Sequence, residues 1–254
     1  MKFIKIPSII ILTLCSVLSG CATVNYMAID KTSTTVDVSS KSVLLMTLDF
    51  SRSDKSGYFT PNYFFAHFEK PNAQSKDDRQ NFEVKDDDKI ITSGGRTIYV
   101  LRMALEPGEY QLKGITGFAM AFPFHGTYFV PLFIDINVPK HAVAYIGRVK
   151  TELRPRQENE FRAGPVIPLI DQAVMGISTG TFDIAITDMS QEDLAIFRST
   201  FPALSSIPIK TAILPAFDRP KVQRWWEGEN ANTKEQPPLP NVAVPSGDGA
   251  AKSR

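Results

Sequence analysis

The chain is poor in cysteine: its two, Cys15 and Cys21, both fall within the first 21 of 254 positions. Nothing beyond them offers a thiol for a disulfide, a zinc cluster or a nucleophile. The remainder has to be stabilised by its core. Histidine is scarce as well, and His67, His125 and His141 stand apart, with no His-Glu-x-x-His run or paired spacing to form a helical zinc site. Charge of one sign is also missing. Lysine and arginine total 28 against 27 acids, with no basic stripe interleaved with aromatics, which excludes nucleic acid as an expected partner. The apolar run Ile6 to Leu18 is too short for a bilayer span, which needs roughly 20 residues.

That run is nevertheless the most informative stretch. Lys2 and Lys5 precede it and Leu18-Ser19-Gly20-Cys21 closes it, the layout of a secretory signal with a small-residue cleavage site. With a cysteine directly after Gly20, the site resembles the lipobox of bacterial lipoproteins: an aliphatic residue, a small residue, Gly or Ala, then Cys. All four positions match. The resemblance implies that the Cys21 thiol receives a diacylglycerol, that cleavage falls between Gly20 and Cys21, and that the mature chain is held on a membrane by lipid. Each buried methylene adds about 0.8 kcal/mol, so two or three acyl chains make the anchor essentially permanent. Ala22 and Thr23 follow the cysteine where an Asp would favour retention, which leans toward the outer membrane in a cell that has one. Cleavage removes Lys2 and Lys5 and leaves 26 basic against 27 acidic residues, so the mature chain is near neutral. An ordinary secretory signal with a coincidental cysteine, or an uncleaved leader, is the competing reading.

After the signal peptide (1–20), residues 21–41 are rich in Thr, Ser and Val and read as a lipidated N-terminus and tether. Residues 42–227 read as a β-rich domain. Residues 228–254, with Pro237, Pro238, Pro240 and Pro245 and no apolar period, read as a disordered tail on composition. Strands are expected over Val43–Phe50, Asn62–Phe68, Lys89–Thr92, Arg96–Met103, Glu109–Ile115, Tyr128–Val138, His141–Lys150 and Thr181–Thr187. Ser93-Gly94-Gly95 fits a hairpin turn, and Pro107-Gly108 the centre of a type II turn. One amphipathic helix is expected over 190–201: Ser190 as N-cap, Asp193 as a partial capping box, Leu194, Phe197 and Phe201 on one face, and Pro202 as stop. Residues 207–217 could add an edge segment.

The block Leu105–Leu112 and the step Tyr145-Ile146-Gly147 resemble features of small prealbumin-like or Ig-like sandwich domains in bacterial envelope lipoproteins. The fold expectation is therefore mainly β: an antiparallel sandwich of that kind with one helix near the C-terminus. The resemblance transfers no catalytic residue.

Gly176-Ile177-Ser178-Thr179-Gly180 satisfies the pattern of a nucleophile elbow, but every histidine lies upstream of Ser178, so the required chain order fails. Asp86-Asp87-Asp88 lacks the spacing of a calcium loop and reads as a solvated turn. Glu152, Glu158 and Glu160 sit among arginines and read as ion-paired surface rather than paired catalytic acids. The stretch Phe118–Phe133 either fills the core or offers an aromatic surface around Phe122 and Phe124. Trp225-Trp226 is either a second sticky point or a pin for the chain end. The expectation is a non-enzymatic envelope protein without cofactor or metal, with the membrane as partner through its lipid and an envelope protein as partner of its domain. The alternative is a module that binds a hydrophobic or glycan ligand.

Overall fold

The computed structural model describes residues 23–53, 62–92, 97–121, 124–162 and 180–228. Two open sheets share one core, and neither closes into a barrel. The first sheet runs in the order β1 (Thr23–Asn25), β4 (Arg79–Glu83), β3 (Asn62–Glu69), β7 (Gly108–Ala121) and β8 (Phe124–Val138). The second runs β10 (Gly180–Thr187), β9 (Val143–Pro155), β2 (Ser42–Arg52), β6 (Thr97–Leu105) and β5 (Lys89–Ile91). A short β11 (Ile209–Thr211) pairs with the start of β9. Leu44, Met46, Leu101 and Ile146 of the second sheet meet Phe68, Leu112, Ile115 and Val130 of the first. Each such burial stabilises the fold by roughly 1.5–3 kcal/mol.

The expected all-antiparallel pairing is corrected: both sheets are mixed. β2 runs parallel to β9, with Val43 opposite Val143, and β1 runs parallel to β4. The physical reason lies in Val43-Leu44-Leu45-Met46 and Val143-Ala144-Tyr145-Ile146, which are apolar without alternation. Leu44 and Met46 face the shared core, whereas Val43 and Leu45 pack with Phe197 and Phe201 on the opposite side. Strands covered on both faces read as continuous apolar runs and commonly pair in parallel.

The cover on that side is α1 (Ser190–Thr200), at the expected place. Its N-cap is Met189 rather than Ser190, and Asp193 turns inward instead of capping. A second helix, α2 (Arg219–Glu227), corrects the single-helix expectation. Asp218 caps it by accepting from the Lys221 backbone N–H at 2.9 Å, and Gly228 ends it at φ 83°. Val222, Trp225 and Trp226 repeat at i, i+3 and i+4, but a single such triplet in nine otherwise polar residues is too short to mark the helix in sequence. Among the described residues, no helix is long and apolar enough to cross a membrane.

Part of the expected tether also packs on the body. Ala28 N–H donates to the Arg102 carbonyl at 2.7 Å, and Ile29 is 1% exposed in the cluster under α1, flanked by Val36 and Val38. Apolar residues scattered through a polar segment fill the margin of that cluster.

Candidate functional site: an aromatic face beneath the last helix

In β7 and β8, Leu112 pairs with Ile134 and Gly114 with Pro131. Leu132 and Phe133 therefore stand opposite Lys113 alone, a β-bulge. Phe133 takes φ 48°, a left-handed conformation that a bulky aromatic residue rarely adopts. Bulges re-aim side chains, and backbone strain of this kind clusters at functional positions. Here the Phe133 ring meets Trp225 of α2, with centroids 4.8 Å apart.

A row of rings continues from that contact. Trp225 lies 6.5 Å from Phe129, Phe129 lies 6.2 Å from His67, and His67 lies 6.1 Å from Phe65. Trp226, 37% exposed, stands 6.5 Å from Trp225 at the open end of the row. Lys113 Nζ lies 5.1 Å from the Phe133 ring centroid, a cation–π contact. Gly114 makes the row possible. A Cβ there would fall 2.5 Å from the Phe129 ring, so the ring lies directly on bare backbone.

α2 is fixed from both sides. Lys221 Nζ donates to the Phe133 carbonyl at 2.7 Å and pairs with Asp135 at 3.2 Å. Arg219 donates to the Phe182 carbonyl and pairs with Asp183 at 2.7 Å. Those contacts tie β8 and β10, an edge strand of each sheet, and cover edges that would otherwise invite pairing with another chain. Beneath the helix, Val222, Phe161 and Phe133 form a small buried cluster. Arg154 grips Glu160 at 2.6 Å, and that hydrogen bond holds the Glu160 carboxyl down at about 2 despite partial burial.

His67 stands inside the row, between Phe129 and Phe65. Its Nδ1 donates to Asn81 Oδ1 at 2.7 Å, and its Nε2 accepts from the Thr116 hydroxyl at 2.6 Å. Burial pushes its pKa down to about 4, against a weaker opposing contribution from Asn81. The folded state therefore binds fewer protons than the unfolded chain between pH 6.5 and 4. Stability is full above about pH 6.5 and falls as pH drops through that window, by about 3 kcal/mol in all. Urea unfolding across pH 7 to 4 is expected to show this loss, and His67→Gln to flatten it. An unchanged slope in the variant would remove His67 as its source.

No family model matches this chain, and no curated protein matches it. Among solved structures, a crystal structure of a "putative cell adhesion protein" from Bacteroides eggerthii is similar at 9% identity and a TM-score of 0.22. The match covers 58% of this chain and 55% of that one, so the chain spans about half the length of its neighbour. Overlap at that TM-score carries no argument about fold or role.

The other residues singled out in the sequence scatter. Gly20, Cys21, Phe122 and Ser178 lie outside the described residues. Phe124 pairs by its backbone with Ala121, and its side chain and that of His125 lie outside the described part. Trp225 half-buries against β8, whereas Trp226 remains open. Within Phe118–Phe133, Tyr128 fills the core and Phe129 and Phe133 form the outer row, so that stretch serves both faces. His141 is exposed, its Nδ1 against the Val38 carbonyl at 3.0 Å. Glu152 and Glu158 are exposed, and Glu160 is ion-paired. The solvated-turn reading of Asp86–Asp88 is corrected at one position: Asp88 is buried and pairs with buried Arg102 at 2.8 Å. Among the described residues, no group of three His, Cys, Asp or Glu side chains could hold a metal ion.

Two constellations escaped the sequence reading. Arg148, Asp193 and Tyr145 form a buried cluster beneath α1, reached from the surface by Glu192. Burial opposes the Arg148 charge, yet hydrogen bonds to Asp193 and Glu192 outweigh it and hold the guanidinium above its ordinary pKa. The second is the strained Phe133. Arg102 and Arg148, each a charge inside an apolar strand, are the sequence signals for these buried ion pairs.

Proposed function

We propose that this is an exported, lipid-anchored protein of a bacterial cell envelope, acylated at Cys21 and held preferentially at an outer membrane. Its β-domain binds another envelope protein without catalysing a reaction. The lipobox at Leu18–Cys21 supports the anchor. The observation that carries the binding role is Phe133: a bulged aromatic residue in a left-handed conformation, set against Trp225 in a row that ends on exposed Trp226. The row runs along the outer face of the first sheet and is largely covered by α2, so the part of it open to a partner is Trp226, a residue type enriched at interfaces.

The prealbumin-like or Ig-like kinship of the two-sheet body belongs to this proposal. The turn at Pro107-Gly108, with Gly108 at φ 140°, launches β7, and Tyr145-Ile146-Gly147 lies in β9. The parallel β2–β9 pair is a departure from the antiparallel form expected of that resemblance. A glycan or hydrophobic ligand is the second reading, favoured by the Trp225–Trp226 pair, whose open ring offers a flat apolar surface.

A photoreactive amino acid at position 226 in growing cells distinguishes the readings. One discrete crosslinked protein, absent when the probe is moved to exposed Glu152, is expected. Equal smears of neighbours from both positions would count against a protein partner. A rise in melting temperature with cell-wall glycans would favour the second reading.

A further inference from the structure

Resting on the acylation of Cys21, the structure assigns the end of the body that lies on the bilayer. Strand β1 begins at Thr23, so Ala22 alone separates it from the lipidated residue. Two Cα steps span at most about 7 Å. Thr23 is itself held in place: it pairs with Gln80, and its hydroxyl lies 3.3 Å from both the Lys76 carbonyl and Asp77. The anchor therefore leaves the body at a fixed point beside the turn formed by residues 70–78.

Other turns share that end. Lys70 pairs with Glu106 at 3.0 Å, which joins it to the turn between β6 and β7. Ser42 donates to the Pro139 carbonyl at 2.6 Å, which joins the start of β2 to the turn between β8 and β9. Between them lies a polar cleft of about 370 Å³ lined by Thr23, Lys41, Lys70, Asp77, Gln80 and Glu106, among others. Strand direction fixes the opposite end. β7 runs 14 residues away from Gly108, roughly 45 Å at the usual rise, to the connection between Ala121 and Phe124. Ser53, Ile91 and Gln157 lie toward that far end by their strand positions.

We propose that the domain rests by its Thr23 end on the headgroup layer of the membrane that holds its lipid, with zwitterionic phospholipid facing the cleft. Lys41 and Lys70 suit the headgroup phosphate, and Asp77 and Glu106 suit its ammonium. A lipid on a long free tether would leave every face of the body equally close to the bilayer. One residue of slack does not. The aromatic row then lies along the side of the upright body, with exposed Trp226 left to partners.

The chain has no cysteine beyond residue 21, so an introduced cysteine is the sole free thiol of the acylated protein. Nitroxide labels are placed at Lys76→Cys and Lys140→Cys on the near end and at Ser53→Cys and Gln157→Cys on the far end. The lipidated protein is reconstituted in phosphatidylethanolamine–phosphatidylcholine vesicles that carry a nickel-chelating headgroup lipid. Relaxation at the near positions is expected to exceed that at the far ones by about tenfold. A flexible Gly/Ser spacer of about 12 residues inserted after Ala22 should abolish the difference. Mass spectrometry of the same preparations reads the anchor independently. Equal relaxation at both ends of an acylated, spacer-free chain overturns the orientation alone. A bare Cys21 overturns the anchor and the orientation with it.

Discussion

Asp193→Ala is expected to destabilise the domain by about 3–5 kcal/mol, because it strands a buried guanidinium. Arg148 and Asp193 are both 0% exposed, so neither charge can turn to solvent. Arg148 Nε lies 3.1 and 3.3 Å from the two Asp193 oxygens, its Nη2 pairs with the same carboxylate, and the Tyr145 hydroxyl donates to Oδ2 at 2.5 Å. Removing the carboxylate leaves Arg148, among the described residues, with half-exposed Glu192 at 3.0 Å and deprives Tyr145 of that acceptor. Among the described residues no acceptor meets Arg148 Nη1, so none of them stands ready to absorb the loss. A domain stable by 5–15 kcal/mol cannot lose this much without a large shift in its urea midpoint. The double variant Arg148→Met with Asp193→Leu is expected to recover most of the loss, since an apolar pair of similar volume replaces a buried ion pair at little cost. If the double variant were as unstable as Asp193→Ala alone, lost packing rather than an unpaired charge would be the cause.

The same cluster explains where sequence reading stops. Strand positions were legible because local alternation and turn chemistry are local properties: Ser42–Arg52, Asn62–Glu69, Thr97–Leu105 and Gly180–Thr187 lie where apolar pattern puts them. The pairing of Val43 with Val143 was not, because partners 100 positions apart leave no local trace. Asp193 departs from its expected capping role for a related reason. Three residues after Ser190 it fits a cap, and only the fold reveals that Arg148, 45 positions away, approaches it across the sheet. The aromatic site was half legible. Trp225-Trp226 and the phenylalanine-rich stretch stood out by composition, but their meeting depends on the bulge at Phe133 and on α2. A bulge is a property of the paired strand opposite it, not of the residues that bulge.

Gly117→Ala is expected to cost about 3 kcal/mol, at the upper end for an overpacked core. A Cβ at that position would fall 1.9 Å from Tyr128 Cζ and 2.2 Å from its hydroxyl oxygen, inside any tolerable contact. The ring has nowhere to go. Tyr128 is 2% exposed, packs 5.8 Å from Phe182 and 6.4 Å from Tyr63, and its hydroxyl donates to the Asn62 carbonyl at 3.3 Å. Gly108→Ala is the contrasting case: among the described residues beyond its chain neighbours nothing lies within 4 Å of an added Cβ, so the φ of 140° is what opposes it, and a loss of about 1 kcal/mol is expected. Tyr128→Val should rescue part of the Gly117→Ala loss, making the double variant less unstable than the two single losses combined, as for residues in contact. Additive losses would place the cost in the backbone instead. Tyr128 and Phe129 are adjacent, one locked over Gly117 in the core and the other lying over Gly114 on the outer face. Forcing the first ring out of register must therefore move the second. Gly117→Ala is accordingly expected to weaken crosslinking from position 226 even where the domain remains folded, a coupling that a merely global loss of stability would not produce.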